Sequence, residues 1–383
     1  MLLRLIIENE EETNMRAVIL GAGVSGCAIA NELDKKGIET VVIEKNGFLG
    51  GGCHTFFYGG HPYTEGPRPL AIHDGMAFDY INSVVKLRTF PLILDSYNEQ
   101  DQQFYGYPIH WDDIQIMPDK EKILQELEAR PKVNTATNLE DGWINAVGPT
   151  LYEKYVKTYT KKMWEVESNK VFEDFSWSVK GSPIQHGDRI CRLGAESESQ
   201  MHAYPIEETG YNRFFEYCVR NSKVYLNTNI EKVDLEKKEV HIAGETIKGD
   251  IIVSTISLDD LMERCYGELR YMGRDFQPIV LPVEHIFKEG HHFMHYPNNE
   301  KYTRIVEYKN LTGHKADSTL LVMELPSHNN KLYSYNIKSE QDKAAKYINA
   351  LPNGVYARGR LGTYKYLNIN DCIAAACELA ESL

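Results

Sequence analysis

No apolar run in this 383-residue chain is long enough to cross a bilayer; the longest apolar stretch, after Met15, is interrupted by glycine. Positive charge is scarce too. Lys and Arg number 42 against 55 Asp and Glu, and the net charge of −13 argues against a nucleic-acid partner, whose phosphates select a basic surface. Cysteines are few and unpaired. The seven, at Cys27, Cys53, Cys191, Cys218, Cys265, Cys372 and Cys377, include no C-x-x-C pair, which suits reduced thiols in a cytoplasmic protein. Internal repeats and low-complexity tracts are missing as well, which excludes solenoids and disordered scaffolds. The leading MLLRLIIENEEETN begins apolar, but Arg4 and a run of acids break it, so it lacks the charge order of a signal peptide. With 42% hydrophobic content the chain can bury a large core, and two or three domains are expected.

What is present is a complete dinucleotide-binding unit. Ala17 to Leu20 reads as a buried strand, and Gly21, Gly23 and Gly26 form G-x-G-x-x-G where it turns into a helix. Gly21 permits the turn, Gly23 lets the backbone approach a pyrophosphate, and Gly26 allows close helix–strand packing. The helix runs to Lys36, Gly37 caps it, and Thr40 to Ile43 is a second strand. Glu44 stands at its end, where a carboxylate binds ribose hydroxyls, with Lys45 beside it. A glycine cluster follows at Gly50, Gly51 and Gly52. Bare backbone N–H groups there can reach phosphate oxygens that a Cβ would obstruct. A second glycine cluster after the ribose acid resembles that of glutathione-reductase-like flavoproteins and selects FAD over NAD as the cofactor.

Further elements are expected from periodicity. Phe78 to Leu87, Lys120 to Ala129 and Thr150 to Glu165 read as helices, and Val171 to Glu208 as a loop-rich stretch. Lys223 to Asn227, Lys237 to Ile242 and Asp250 to Thr255 read as strands returning to the cofactor domain. Pro278 to His285, His292 to Tyr296, Tyr302 to Tyr308 and Ser318 to Leu325 add a mostly antiparallel set, before a last helix from Asn370 to Ser382. The fold class is therefore α/β: a Rossmann-like FAD-binding domain with a helical lobe and an antiparallel β-sheet domain. The expected division is 15–75, 205–262 and 345–383 for the discontinuous FAD domain, 76–170 for the helical lobe, and 171–204 with 263–344 for the substrate sheet. His291, His292 and His295 do not suggest a metal, because neighbours on a strand face opposite ways and no acid or cysteine is spaced to help.

In this order GAGVSG at 21–26, YTKKMW at 159–164, YTRIVEYK at 302–309 and GRLGTYKYLNIND at 359–371 resemble the UDP-galactopyranose mutase family, over nearly the whole chain from Met15. That resemblance implies FAD, active in reduced form, and a non-redox ring contraction between the pyranose and furanose forms of a nucleotide-diphosphate sugar. Flavin N5 would attack the anomeric carbon and displace the nucleoside diphosphate. It further implies a reductant such as NAD(P)H or a flavin reductase, and a homodimer.

Arg304 and Arg360 match family arginines. A guanidinium fork suits the charge that develops on a leaving diphosphate. Tyr159, Trp164, Tyr302, Tyr364, Tyr366 and Asn368 fall on or beside the family's substrate-side motifs. The flat rings of Tyr159 and Trp164 can stack on a base or sugar. The departures also carry information. Where the family has Gly-Ala-His beside the flavin, this chain has Gly66, Pro67 and Arg68, a permanent cation suited to an anionic flavin or a phosphate, or to an ion pair with Glu65 or Asp74. Lys180 to Gln185 lacks two family arginines, with Arg189 and Arg192 nearby; Leu325 replaces a tyrosine, and His110 an asparagine. These changes fall on the substrate side and put UDP-galactose itself in question. Two alternatives stand beside the mutase: an FAD-dependent oxidoreductase of the amine-oxidase type, and an inactive nucleotide-sugar-binding homologue.

Overall fold

In the computed structural model, which describes residues 15–72, 75–175, 184–186 and 201–383, the dinucleotide unit forms as its spacing requires. Arg16–Leu20 and Glu39–Ile43 pair in parallel around the helix Val24–Lys35. Three strands from much later in the chain complete a five-stranded parallel sheet in the order Lys223–Tyr225, Glu39–Ile43, Arg16–Leu20, Ile251–Ser254, Val355–Ala357. Alternation splits its side chains between two cores. Ala17, Ile19, Val42 and Val253 face the helices, and Val18, Leu20, Val41 and Ile252 face a three-stranded antiparallel flap, Ile230–Asp234, Glu239–Ile242 and Glu245–Lys248. Burial on both faces explains why these strands read as continuous apolar runs. The last helix, Ile369–Ser382, packs on the first and opens with a capping box in which Asn368 and Asp371 exchange hydrogen bonds.

The second half is a seven-stranded sheet in the order Tyr333–Ser334, Tyr271–Leu281, Thr319–Ser327, Arg304–Glu307, His291–His295, Ile93–Asn98, Gln103–Tyr107. All pairings are antiparallel except His291–His295 with Ile93–Asn98. Two expectations are corrected here. The helix expected over 78–87 spans Met76–Asn82, and Leu87 begins a strand; the stretch read as helical also supplies the last two strands of this sheet, Ile93–Asn98 and Gln103–Tyr107. Their alternation, buried at Leu94, Ser96 and Asn98, is visible in sequence but mixes Ser and Asn with apolar residues, which masks it. The strand expected from Pro278 instead begins at Tyr271, because Arg274 and Asp275 interrupt its apolar pattern.

Helices Trp111–Ile116, Lys120–Glu128 and Leu139–Val147 stand over one end of this sheet. A long helical stretch continues from Pro149 to Trp164. Its middle turn, Glu153–Lys157, is π-helical, a wide turn frequent at functional sites. Among the described residues no helix is long and apolar enough to cross a membrane.

Candidate functional site

The glycine loops meet at the carboxyl ends of the parallel strands, where ligands bind in open α/β sheets. Gly50 donates its N–H to the Ala22 carbonyl at 2.7 Å, which docks the second cluster on the first loop. Glu44 braces both: its carboxylate accepts from the Ala22 and Asn46 N–H groups at 2.8 and 2.9 Å. A carboxylate has about four acceptor sites, so capacity remains for ribose hydroxyls. Lys45, one residue on, is exposed.

Two glycines test whether this cradle fits a flavin nucleotide. A Cβ on Gly26 would lie 2.0 Å from the Gly21 carbonyl oxygen, so the fold itself demands that glycine. Gly23 differs. Its backbone is extended, with φ −70°, and a Cβ there would meet nothing within 4 Å. The protein does not need glycine at 23 for its own packing, whereas a pyrophosphate approaching the backbone does. The helix beginning at Val24 also has no side-chain cap, leaving its first N–H groups to an anion. The residues fit FAD.

From that cradle a line of cations leads into the second half. Arg68 donates Nε to the Gly52 carbonyl at 3.1 Å and Nη2 to the Glu65 carbonyl at 2.6 Å. A Cβ on Gly66 would lie 3.5 Å from Arg304 Nη2 and 3.7 Å from Arg68 Nη2. Arg304 pairs with the buried carboxylate of Glu324 at 2.5 Å, and Arg274 lies 3.5 Å from the same oxygen. The register explains the arrangement: His295, Arg304 and Glu324 are directly opposite one another across three strands. The partner of Arg304 is therefore Glu324 rather than Glu307, which is occupied by the Ile286 and Phe287 N–H groups.

Arg360 arrives from the other domain. A Cβ on Gly359 would stand 2.8 Å from Ser25 Oγ, so this turn presses against the start of the nucleotide helix. The Arg360 guanidinium lies 5.0 Å from the Tyr333 ring and 4.8 Å from the Tyr366 ring, and it donates to the Leu367 carbonyl at 3.0 and 2.6 Å. Burial would push the Tyr333 phenol up, but Arg274, Arg68, Arg360 and Arg304 outweigh it and pull it down to about 7. Four guanidinium groups thus converge on one phenol.

Above them is a cavity of about 720 Å³ lined by Tyr159, Trp164, Arg274, His295, Arg304 and Tyr333, among others, with Tyr366 at its edge. Tyr159 and Trp164 come from the helix after the π turn. That helix is tied to the sheet by Lys162, whose ammonium donates to the carbonyls of Tyr296, Glu300 and Tyr302 at 2.7, 2.6 and 2.9 Å.

Not every expected residue reaches this cavity. Tyr302 packs edge-on against Tyr296, their ring centroids 4.7 Å apart. Asn368 caps the last helix. His110 is fully buried and caps Trp111–Ile116, accepting the Asp112 N–H at 3.1 Å. Tyr364 borders the cavity but is itself buried, with its hydroxyl turned to the Arg270 carbonyl. Lys180 to Pro183, Arg189, Arg192 and Asp74 lie outside the described residues, while Ile184 and Gln185 pair with Ile109 and His110. Sequence reasoning missed Arg274, Tyr333, Glu324 and His295 as site residues. For Arg274 a signal existed: an arginine between Met272 and Phe276 on one face of a strand. In the histidine run, His291 bonds Asp95 at 2.6 Å, and His292 stacks on Phe90.

A Rossmann-type sheet carrying this cradle, set beside an antiparallel sheet, defines the FAD-binding class of enzymes. The pattern of an NAD(P)-binding Rossmann-like domain matches residues 19–83, and that of UDP-galactopyranose mutase matches residues 154–366. The chain belongs to the UDP-galactopyranose mutase family, and so is an enzyme of the isomerase class with a flavin-type cofactor site. It is similar to the UDP-galactopyranose mutase of Mycoplasma pneumoniae, 22% identical over 96% of this chain and 95% of that protein. It is also similar to the dTDP-fucopyranose mutase of Escherichia coli, 22% identical over 96% of this chain and 97% of the relative. Its fold matches a solved structure, the crystal structure of reduced UDP-galactopyranose mutase, with a TM-score of 0.81 and 16% identity over 96% of this chain and 93% of the other.

Proposed function

We propose that this protein is a flavin-dependent, non-redox mutase interconverting the pyranose and furanose forms of a nucleotide-diphosphate sugar. The observation that carries the reading is a cluster of guanidinium groups beside the glycine cradle: Arg274 and Arg360 lie 5.5 and 5.0 Å from the Tyr333 ring, and Arg304 and Arg68 both approach Gly66. Among the described residues one buried carboxylate, Glu324, pairs with these cations. The surplus positive charge suits a dianionic diphosphate together with an anionic reduced flavin. An amine oxidase would have no use for it.

Bound FAD, when reduced, supplies the nucleophile, N5. The chain's own residues do the rest. Gly23 and the N-terminus of the first helix hold the pyrophosphate, and Glu44 orients the ribose. Arg304 and Arg274, fixed by Glu324, hold the diphosphate and stabilise charge as the anomeric bond breaks. Arg360, locked by the Leu367 carbonyl and two tyrosine rings, would do so from the side of the nucleotide helix, and Arg68 would balance the charge of a bound reduced flavin. Tyr159, Trp164 and Tyr366 enclose the sugar and nucleoside. NAD(P)H or a flavin reductase keeps the flavin reduced. The two relatives, a UDP-galactopyranose mutase and a dTDP-fucopyranose mutase, differ in both base and sugar, so UDP-galactose is one candidate among several.

The test is direct. Protein reduced with dithionite and given UDP, dTDP, GDP and CMP sugars should form a furanose product, or a flavin–sugar adduct, without stoichiometric consumption of reductant. Turnover by oxidised enzyme with oxygen uptake and peroxide release would overturn the reading in favour of the oxidoreductase.

A further inference from the structure

His295 is the imidazole of the cavity wall whose hydrogen-bonding edge is unengaged. It ends the strand His291–His295, opposite Arg304 on one side and Ser96 on the other. Its ring is held by other rings: Tyr107 at 5.1 Å, Tyr159 at 5.5 Å and Phe293 at 5.4 Å between centroids. Among the described residues neither of its nitrogens has a hydrogen-bond partner. The two neighbouring histidines differ in this respect, since His291 bonds the Asp95 carboxylate and His292 the Ile93 backbone. His295 is half-buried and lines the cavity, so its open polar edge is available to a ligand there.

The charged groups facing this ring fix its state. Burial, and then the nearby Arg304 and Arg274, push the imidazole down to about 3. It is therefore neutral across the working range, with one nitrogen a donor and the other an acceptor. A diphosphate matches that pair poorly, because it only accepts and the arginines already serve it. A hydroxyl matches it well, because it does both. Arg304 adjoins Gly66 and Arg68, which reach back to the cofactor loop at Gly52, so a ligand portion beside His295 and Arg304 would lie toward the cofactor loop.

We propose that His295 determines sugar specificity by hydrogen-bonding a hydroxyl of the sugar ring, next to the diphosphate held by Arg304 and Arg274. This inference rests on the function proposed above.

The experiment uses FAD-loaded, reduced protein and calorimetric binding of two probes: the nucleotide sugar of the panel that the wild type converts, and its nucleoside diphosphate alone. His295→Phe keeps the ring and deletes both nitrogens. It should weaken the nucleotide sugar by roughly tenfold or more, the scale of one buried hydrogen bond, while diphosphate affinity stays within about twofold. His295→Asn, which restores a donor and an acceptor, should recover part of the loss. Equal loss for both probes would mean that the ring grips the diphosphate, and no loss for either would make it plain wall; each result overturns the inference. A wild type that binds no member of the panel would instead sink the functional reading, and this inference with it, before any variant is made.

Discussion

Glu324 is expected to hold the cavity together at the expense of ligand affinity. Its side chain is fully buried, and one oxygen serves both Arg304 at 2.5 Å and Arg274 at 3.5 Å while the other has no hydrogen-bond partner among the described residues. Glu324→Gln keeps the shape and one acceptor for Arg304 but removes the charge that compensates two buried cations. Breaking a buried ion pair on one side costs about 3–5 kcal/mol. For a chain of this length the unfolding entropy is roughly 0.8 kcal/mol per kelvin, so the ligand-free variant should melt about 4–6 °C below the wild type. A nucleoside diphosphate restores the missing negative charge. The thermal shift produced by saturating diphosphate should therefore be larger in Glu324→Gln than in the wild type, and the diphosphate should bind at least as tightly. The assay is melting of FAD-loaded protein with and without diphosphate, with calorimetric affinities alongside. If the variant melts with the wild type, or if diphosphate shifts the two equally, the carboxylate does not set the charge of this site and the argument fails.

Two further outcomes follow from the geometry. Gly23→Ala should leave the melting temperature of FAD-free protein within about 2 °C of wild type, since its Cβ meets open space, yet weaken FAD by about tenfold or more; undiminished FAD affinity would remove the pyrophosphate from that loop, and Gly26→Ala should not fold at all. Stability should also fall in acid. Burial pushes His292 down to about 4 from an ordinary 6.5, so the unfolded chain takes up a proton that the folded one refuses. Its contribution is complete above pH 6.5 and is lost toward pH 4 at about 1.4 kcal/mol per pH unit. His292→Gln, which keeps an acceptor for the Ile93 N–H, should flatten that limb by one proton in denaturant titrations across this range; an unchanged slope would refute the assignment.

Much of the cofactor half was legible because its signals are contiguous. Strand, glycine turn, helix, second strand and Glu44 fall within about thirty residues, and their spacing alone places the cradle at a strand end. The motif arginines were legible too, since Arg304 and Arg360 sit in short recognisable segments. The polar environment of those arginines was not. Arg274, Glu324, Tyr333 and His295 lie on four separate strands, and apart from the apolar strand face on which Arg274 falls, nothing local distinguishes them from surface charges or core rings. They become neighbours only when register fixes His295 against Arg304 and Arg304 against Glu324. Register is decided by burying one face of the whole sheet, and a one-residue slip would turn each of these side chains to the other face. The sequence by itself therefore determined the cofactor fold and the family. Tertiary packing alone decided which charges face one another across the cavity, because cross-strand pairing is non-local and leaves no spacing to read.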